Sequence, residues 1–370
     1  MPRTFLLILL GIAAGTVAPS AFAQTDGGVY GADALTSQRR TARLTIQPLY
    51  QSYTNSPDEL REWSLPVRLT VPLGDRWQVR LQGSAASVQR EEGADVRGLA
   101  DARAGLSYTR DFGESSVIVS ANANVPTGTE TLSPEAFETT TVLSQKVYDF
   151  RVTGLGQGLG VSTGATWVVP LSDNLALGLG GSYQVQGSYT PIADMAESYD
   201  PGSRTLVTGG LEYRLTRTAA LSANASLWIY GSDTVGGAER FDPGPKGSVE
   251  LQFVRERGYS TLRLRARYEG RGASTQPTTS GTTFNQQVFP SQGLLRGHYE
   301  TRLTDAIDLA VSATGRTFGE TVAHGRETIG VTRVRLTIEV GGGLALAPET
   351  AYTNGTFSGI EGGLTVGWTP

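Results

Sequence analysis

Residues 260–270 read Ser-Thr-Leu-Arg-Leu-Arg-Ala-Arg-Tyr-Glu-Gly, and this stretch decides the fold. Leu262, Leu264, Ala266 and Tyr268 alternate with Arg263, Arg265 and Arg267. Successive side chains of a strand point to opposite faces, so the segment shows one apolar face and one guanidinium face. A soluble sandwich rarely crowds so many like cations onto its outer face. A barrel wall with lipid outside and a wet interior accommodates both faces.

The alternation spreads outward from there. Ala42, Leu44, Ile46 and Tyr50 oppose Arg43, Thr45 and Gln47 over 40–53, and Trp63, Leu65, Val67, Leu69 and Val71 oppose Ser64, Arg68 and Thr70 over 60–72. Beyond the turn Leu73-Gly74-Asp75-Arg76, Trp77, Val79 and Leu81 alternate with Gln78, Arg80 and Gln82, which predicts a hairpin. Further strands are expected near 96–109, 115–125, 157–170, 174–189, 203–216, 219–231, 246–255, 260–270, 293–303, 306–318, 327–340 and 358–368. One more strand within 341–357 is opposed by Gly341-Gly342-Gly343 and Pro348. Most of these runs exceed the soluble norm and match the length a tilted strand needs to cross hydrocarbon. Connections alternate too: short at 73–76, 110–114, 171–173, 216–218, 256–259 and 304–305, long at 126–156, 190–202, 232–245, 271–292 and 319–326. The reading is all-β, a transmembrane antiparallel up-and-down β-barrel of 14–16 strands over residues 40–370.

The N-terminus carries Arg3, an apolar run from Phe5 to Ala14 and Ala21-Phe22-Ala23, the pattern of a signal peptide over 1–23 cleaved before Gln24. Residues 24–39 are polar and aperiodic, as in a flexible periplasmic leader. Export plus a barrel places the protein in the outer membrane of a Gram-negative-type cell. The expected partners are outer-membrane lipid and lipopolysaccharide, the barrel-assembly machinery and periplasmic chaperones, and a small-molecule solute. Cysteine is absent, which excludes disulfides and thiolate sites. A net charge of −4 argues against a nucleic-acid partner. No metal-ligand spacing occurs, and the glycine runs 154–160 and 178–181 open no βαβ unit, so no metal and no cofactor are expected.

Aromatic residues mark the two water–lipid interfaces. Trp77, Tyr108, Trp167, Tyr213, Tyr299 and Trp368 fall near the short-turn ends, and Tyr50, Trp63, Tyr189 and Tyr268 near the long-loop ends. The opposite phase holds Arg43, Arg68, Arg80, Arg103, Arg214, Arg263, Arg265, Arg267, Arg296, Arg302, Arg316, Arg333 and Arg335, with His298 among them. Fewer acids share that phase: Asp101, Glu212, Glu250, Glu269, Glu300, Asp308 and Glu339. Arginines lining a pore favour anions, so the expectation is a passive channel for small anionic or aromatic-carboxylate solutes. The alternative is a structural or adhesive barrel whose lumen is filled by salt bridges and conducts nothing. The link 126–156 carries Glu130, Glu135, Glu138 and Asp149 and either folds inward against the arginines or stays at the cell surface. Catalysis has little support. Only His298 and His324 are available, and a lipid hydrolase would need His298 to meet Ser312 and Asp308. The protein is read as a non-enzyme.

Within residues 60–190 the wording resembles outer-membrane proteins of the phenol meta-cleavage pathway type. The resemblance lies in Gly98-Leu99-Ala100-Asp101 leading to Gly105 and Tyr108, in Pro126-Thr127-Gly128, in Gly154-Leu155-Gly156-Gln157-Gly158 and in Pro170-Leu171-Ser172-Asp173-Asn174-Leu175. It implies passive uptake of small hydrophobic or aromatic compounds, in a group linked loosely to long-chain fatty-acid channels. Those channels carry an N-terminal hatch, whereas about 16 residues precede the first strand here after cleavage, too few for such a plug.

Overall fold

The computed structural model describes residues 41–55, 58–277, 283–286, 288–321 and 325–370. The signal peptide, the leader and His324 lie outside the described residues. One antiparallel sheet of sixteen wall strands closes on itself. Two of these strands are interrupted. The first is split by Gln47-Pro48 into Arg43–Ile46 and Leu49–Asn55, and the fourth by Ala100-Asp101 into Val96–Leu99 and Ala102–Phe112.

Closure is made between the first strand and the last, Ser358–Trp368. Leu44 faces Trp368 and Leu49 faces Gly363, so both halves of the first strand keep one register across the proline. On the other side the first strand pairs with Asp58–Leu73, with Leu44 opposite Leu69 and Leu49 opposite Ser64. No backbone edge remains open to lipid, which is the condition for a sheet to survive in hydrocarbon.

The doubtful strand exists: Leu344–Gly355 completes the count at sixteen. The two features that opposed it have separate explanations. Gly341, Gly342 and Gly343 form the tight turn before it, with φ of 103°, 60° and 75°, values that residues with a Cβ rarely adopt. Pro348 sits on the exposed face, and the ladder to Glu327–Gly341 lapses opposite it between Arg335↔Glu349 and Ile338↔Leu346. A proline has no N–H to give to a ladder, and it is tolerated here where the ladder on that side is interrupted.

The two faces separate as the alternation requires. Along Ser260–Arg271, Leu264 and Tyr268 are 45% and 59% exposed on the outside, while Arg263, Arg265 and Arg267 turn inward. Trp63, Trp77, Trp167, Tyr213, Tyr268, Tyr299 and Trp368 stand exposed on the outer surface, and Tyr108 stacks against Trp77 with centroids 4.6 Å apart. Tyr189 departs from the expected belt. Its strand, Leu175–Gln186, ends three residues earlier, and the chain carries Tyr189 into a buried edge-on contact with Tyr199. Nearby, Tyr199 Oη donates to Asp233 at 2.8 Å within a small sheet outside the wall, and burial holds the Asp233 carboxyl above its ordinary range. Among the described residues no helix is long and apolar enough to cross a membrane.

The outward–inward division predicts different costs for adjacent positions on Ser115–Val125. Val119→Arg places a cation on the lipid face and should lower stability by about 2–4 kcal/mol, read by denaturant unfolding in lipid vesicles. Ser120→Arg adds the same side chain to the lumen and should cost no more than about 1 kcal/mol.

Candidate functional site

The lumen is shared between a cavity and a loop folded in from the wall. The link after Ser115–Val125 does not stay at the surface. It enters the barrel and forms the helix α1, Pro134–Leu143, capped by Ser133 accepting from the Ala136 N–H at 3.2 Å. The following residues cross beneath α1 and return to the wall at Gly160.

The base of this loop is held by one carboxylate. Opposite Trp77–Arg90, Leu99 pairs with Ala85 but Arg103 pairs with Gln82, so one extra residue is inserted at Ala100-Asp101. Such a bulge re-aims side chains. Here Asp101 accepts from the Gly128 N–H at 3.0 Å, from Asn124 Nδ2 at 2.8 Å and from the Gln157 N–H at 2.7 Å, and its own N–H donates to the Leu155 carbonyl at 2.8 Å. Both limbs of the loop are thereby pinned to one point. A Cβ on Gly128 would run into the Leu155 carbonyl oxygen, and one on Gly156 would sit 2.6 Å from the Glu130 nitrogen. These motifs, far apart in sequence, meet here because only glycine lets the backbones approach so closely.

Farther along, the loop is fastened to the rest of the wall. Lys146 Nζ lies 2.5 Å from Glu269, and Arg316 donates to the Lys146 carbonyl at 3.3 Å and lies 3.5 Å from Asp149. Gln51, fully buried, accepts from the Arg151 N–H at 2.9 Å, and Glu62, also fully buried, accepts from the Val152 N–H at 3.2 Å. Arg90 bridges Asp58 at 2.8 Å and Glu138 at 3.3 Å. Tyr148 and Phe150 pack with Tyr53 and Phe357 of the wall, at centroid distances of 4.9 to 6.0 Å. Leu143 and Leu155 join the same buried cluster. Each fully buried apolar side chain of this size contributes about 1.5–3 kcal/mol. Burial also raises the Tyr148 phenol above its ordinary range.

Below the plug lies a cavity of about 1710 Å³ that reaches the short-turn rim at Gly74, Asp75 and Thr369. Arg68, Arg80, Arg103, Arg263, Arg296, His298, Arg333 and Arg335 line it. Register explains the grouping: Arg263 faces His298, His298 faces Ser312 and Ser312 faces Arg333, one row across four strands. Eleven arginines and seven carboxylates border the cavity in all.

The remaining expected residues sit elsewhere. Arg265 binds Glu250 at 2.6 Å and Arg267 binds Glu269 at 3.2 Å, both beside the plug rather than in the cavity lining. Arg316 is buried beneath the loop. Arg302 lies at the short-turn end, 3.5 Å from Asp308 and 5.4 Å from the Tyr259 ring centre. Because Asp308 is engaged there and His298 Nε2 lies 3.6 Å from Glu300 instead, the Ser312–His298–Asp308 arrangement a hydrolase would use is not assembled. Sequence reasoning missed Glu62 and Glu361. Glu361 binds Arg333 at 2.8 and 3.0 Å and accepts from Gln51 Nε2 at 3.2 Å. Glu62 shares the phase of Ser64 and Arg68, which was the available signal.

A closed antiparallel barrel with an apolar belt, aromatic margins and a polar interior is an outer-membrane β-barrel. No protein-family model matches the chain. No curated protein matches it. Among solved structures it is similar to OpdQ of Pseudomonas aeruginosa, with 10% identity, a TM-score of 0.46 and coverage of 89% of this chain and 98% of that one. It is also similar to OccK10 (OpdN) of Pseudomonas aeruginosa, with 12% identity, a TM-score of 0.48 and coverage of 90% and 99%. A bacterial polysaccharide outer membrane secretin gives 9%, 0.48, 89% and 98%. The likeness is of one barrel to another.

The anchoring carboxylate can be tested by proteolysis. Asp101→Ala removes three hydrogen bonds from the loop base, and trypsin should then cut after Lys146 or Arg151 roughly tenfold faster than in the parent barrel, read by mass of the fragments.

Proposed function

We propose that this barrel is a passive, energy-independent channel for small solutes that prefers anions. The supporting observation is the excess of arginine over carboxylate around one continuous lumenal cavity. Glu361 is engaged by Arg333 within the cavity lining, and Glu250 and Glu269 by Arg265 and Arg267 beside the plug. Guanidinium groups present a planar fork that matches a carboxylate, and a low-dielectric wall strengthens their field. The inward loop roofs the cavity with Asp149, Arg151 and Val152.

The resemblance of residues 60–190 to phenol meta-cleavage barrels is consistent with uptake of small molecules. It rests on motifs that here build the loop anchor, so it supports the loop's position more than the identity of the solute. A second reading is favoured by the buried apolar cluster at the long-loop end. In that reading the barrel rests closed and serves a structural or adhesive role.

Planar-bilayer recordings of the refolded chain across a KCl gradient separate the two. Unit conductance steps with a reversal potential on the chloride side support the channel. The combined change Arg263→Glu, Arg296→Glu and Arg335→Glu should move that potential toward potassium. Absence of any conductance would establish the closed barrel.

A further inference from the structure

We infer that the solute selected by this lumen is a polyhydroxylated carboxylate of the sugar-acid class rather than an aromatic acid. The inference rests on the channel reading above and comes from how unequally the cavity wall is divided. Over five consecutive strands, from Ser115–Val125 to Ala219–Tyr230, hydroxyls predominate in the cavity lining, with Ser120, Ser162, Thr166, Ser182, Thr208 and Ser222 against the larger apolar side chains Ile118 and Leu206. The charged lining residues on this arc are Glu212 and Arg214, both toward the short-turn end of their strand. Seven wall strands on from Leu175–Gln186, the middle of this arc, and so nearly across the barrel, Glu327–Gly341 carries Arg333 and Arg335 into the same cavity. A neutral, hydroxyl-bearing wall therefore faces a charged one, on which Arg263, Arg296, Arg333 and Arg335 outnumber Glu349 and Glu361, the last bound to Arg333.

Each wall specifies one part of a ligand. Guanidinium groups bind a carboxylate in two parallel hydrogen bonds. Serine and threonine hydroxyls both donate and accept, which suits the hydroxyls of a sugar and offers nothing to the face of a benzene ring. On the same wall Asn122 Nδ2 donates to Ser162 Oγ at 3.2 Å, while Asn122 Oδ1 accepts no hydrogen bond among the described residues. An aromatic acid would seek an aromatic ring to stack on. Among the described residues the one aromatic lining the cavity is Trp77, and its ring is stacked on Tyr108 in the outer belt. A site built to hydrogen-bond hydroxyls also rejects analogues that lack them.

The test is current block of the refolded chain in planar bilayers with KCl, adding glucuronate, benzoate or glucose to one side. Glucuronate should half-block at a concentration roughly tenfold below that of benzoate and of glucose, the effect of one or two net hydrogen bonds. The combined change Ser162→Ala, Ser182→Ala and Thr208→Val, with folding checked by heat-modifiable gel migration, should erase the advantage of glucuronate over benzoate. Benzoate blocking as strongly as glucuronate would overturn the inference and leave the channel standing, as would equal block by glucose. A chain that carries no current in KCl, before any solute is added, would overturn the channel reading itself.

Discussion

Hydrocarbon offers no hydrogen-bond partner, so a sheet placed in it must satisfy every backbone group within itself. The pairing of Leu44 with Trp368 and of Leu49 with Gly363 meets that demand by joining the first wall strand to the last. The rest of the molecule follows from this closure. Once the sheet is a cylinder, every second side chain is committed to lipid and every other to the lumen, and the period of two leaves no choice between them. The alternation of Leu264 and Tyr268 with Arg263, Arg265 and Arg267 is the local form of that commitment.

The interior then has to settle its own charge. Isolated buried guanidinium groups are costly, and the wall answers some of them with Glu250, Glu269 and Glu361. Glu269 has a second duty. Both lysines of the chain reach it, Lys146 from the loop at 2.5 Å and Lys246 from the wall at 3.7 Å. Asp101 plays a different part from the one its phase implied. Instead of neutralising an arginine, it gathers backbone N–H groups from both limbs of the loop. The loop is thus pinned on the side of the fourth strand and fastened by ion pairs on the far side, which holds it across the lumen and leaves one cavity beneath.

Much of this was legible in the residues. The belt aromatics, the inward arginines and the short–long rhythm of connections all depend on strand periodicity, and periodicity is local. Leu344–Gly355 was obscured because Gly341-Gly342-Gly343 and Pro348 are strand breakers by propensity, yet one is a turn and the other sits where one ladder is interrupted while the ladder to Ser358–Trp368 runs on. Tyr189 was misplaced for a related reason: the apolar pattern runs on past Gln186, but the strand does not. Glu361 lines the cavity, but its pairing with Arg333 and the hold of Gln51 on the loop are contacts between distant segments, which no local pattern records.

By itself the sequence determined that the chain is a membrane barrel with apolar residues outward and arginine inward, since a two-residue repeat over strands of this length admits one solution in lipid. Tertiary structure decided where the longest link goes, which arginines line the cavity and which lie beside the plug, and that one arc of the wall is rich in hydroxyls. Those outcomes depend on which strands lie across the cylinder from one another. That relation arises only when the ends meet, because residues such as Asp101 and Gln157, or Lys146 and Glu269, are brought together by closure and not by spacing along the chain.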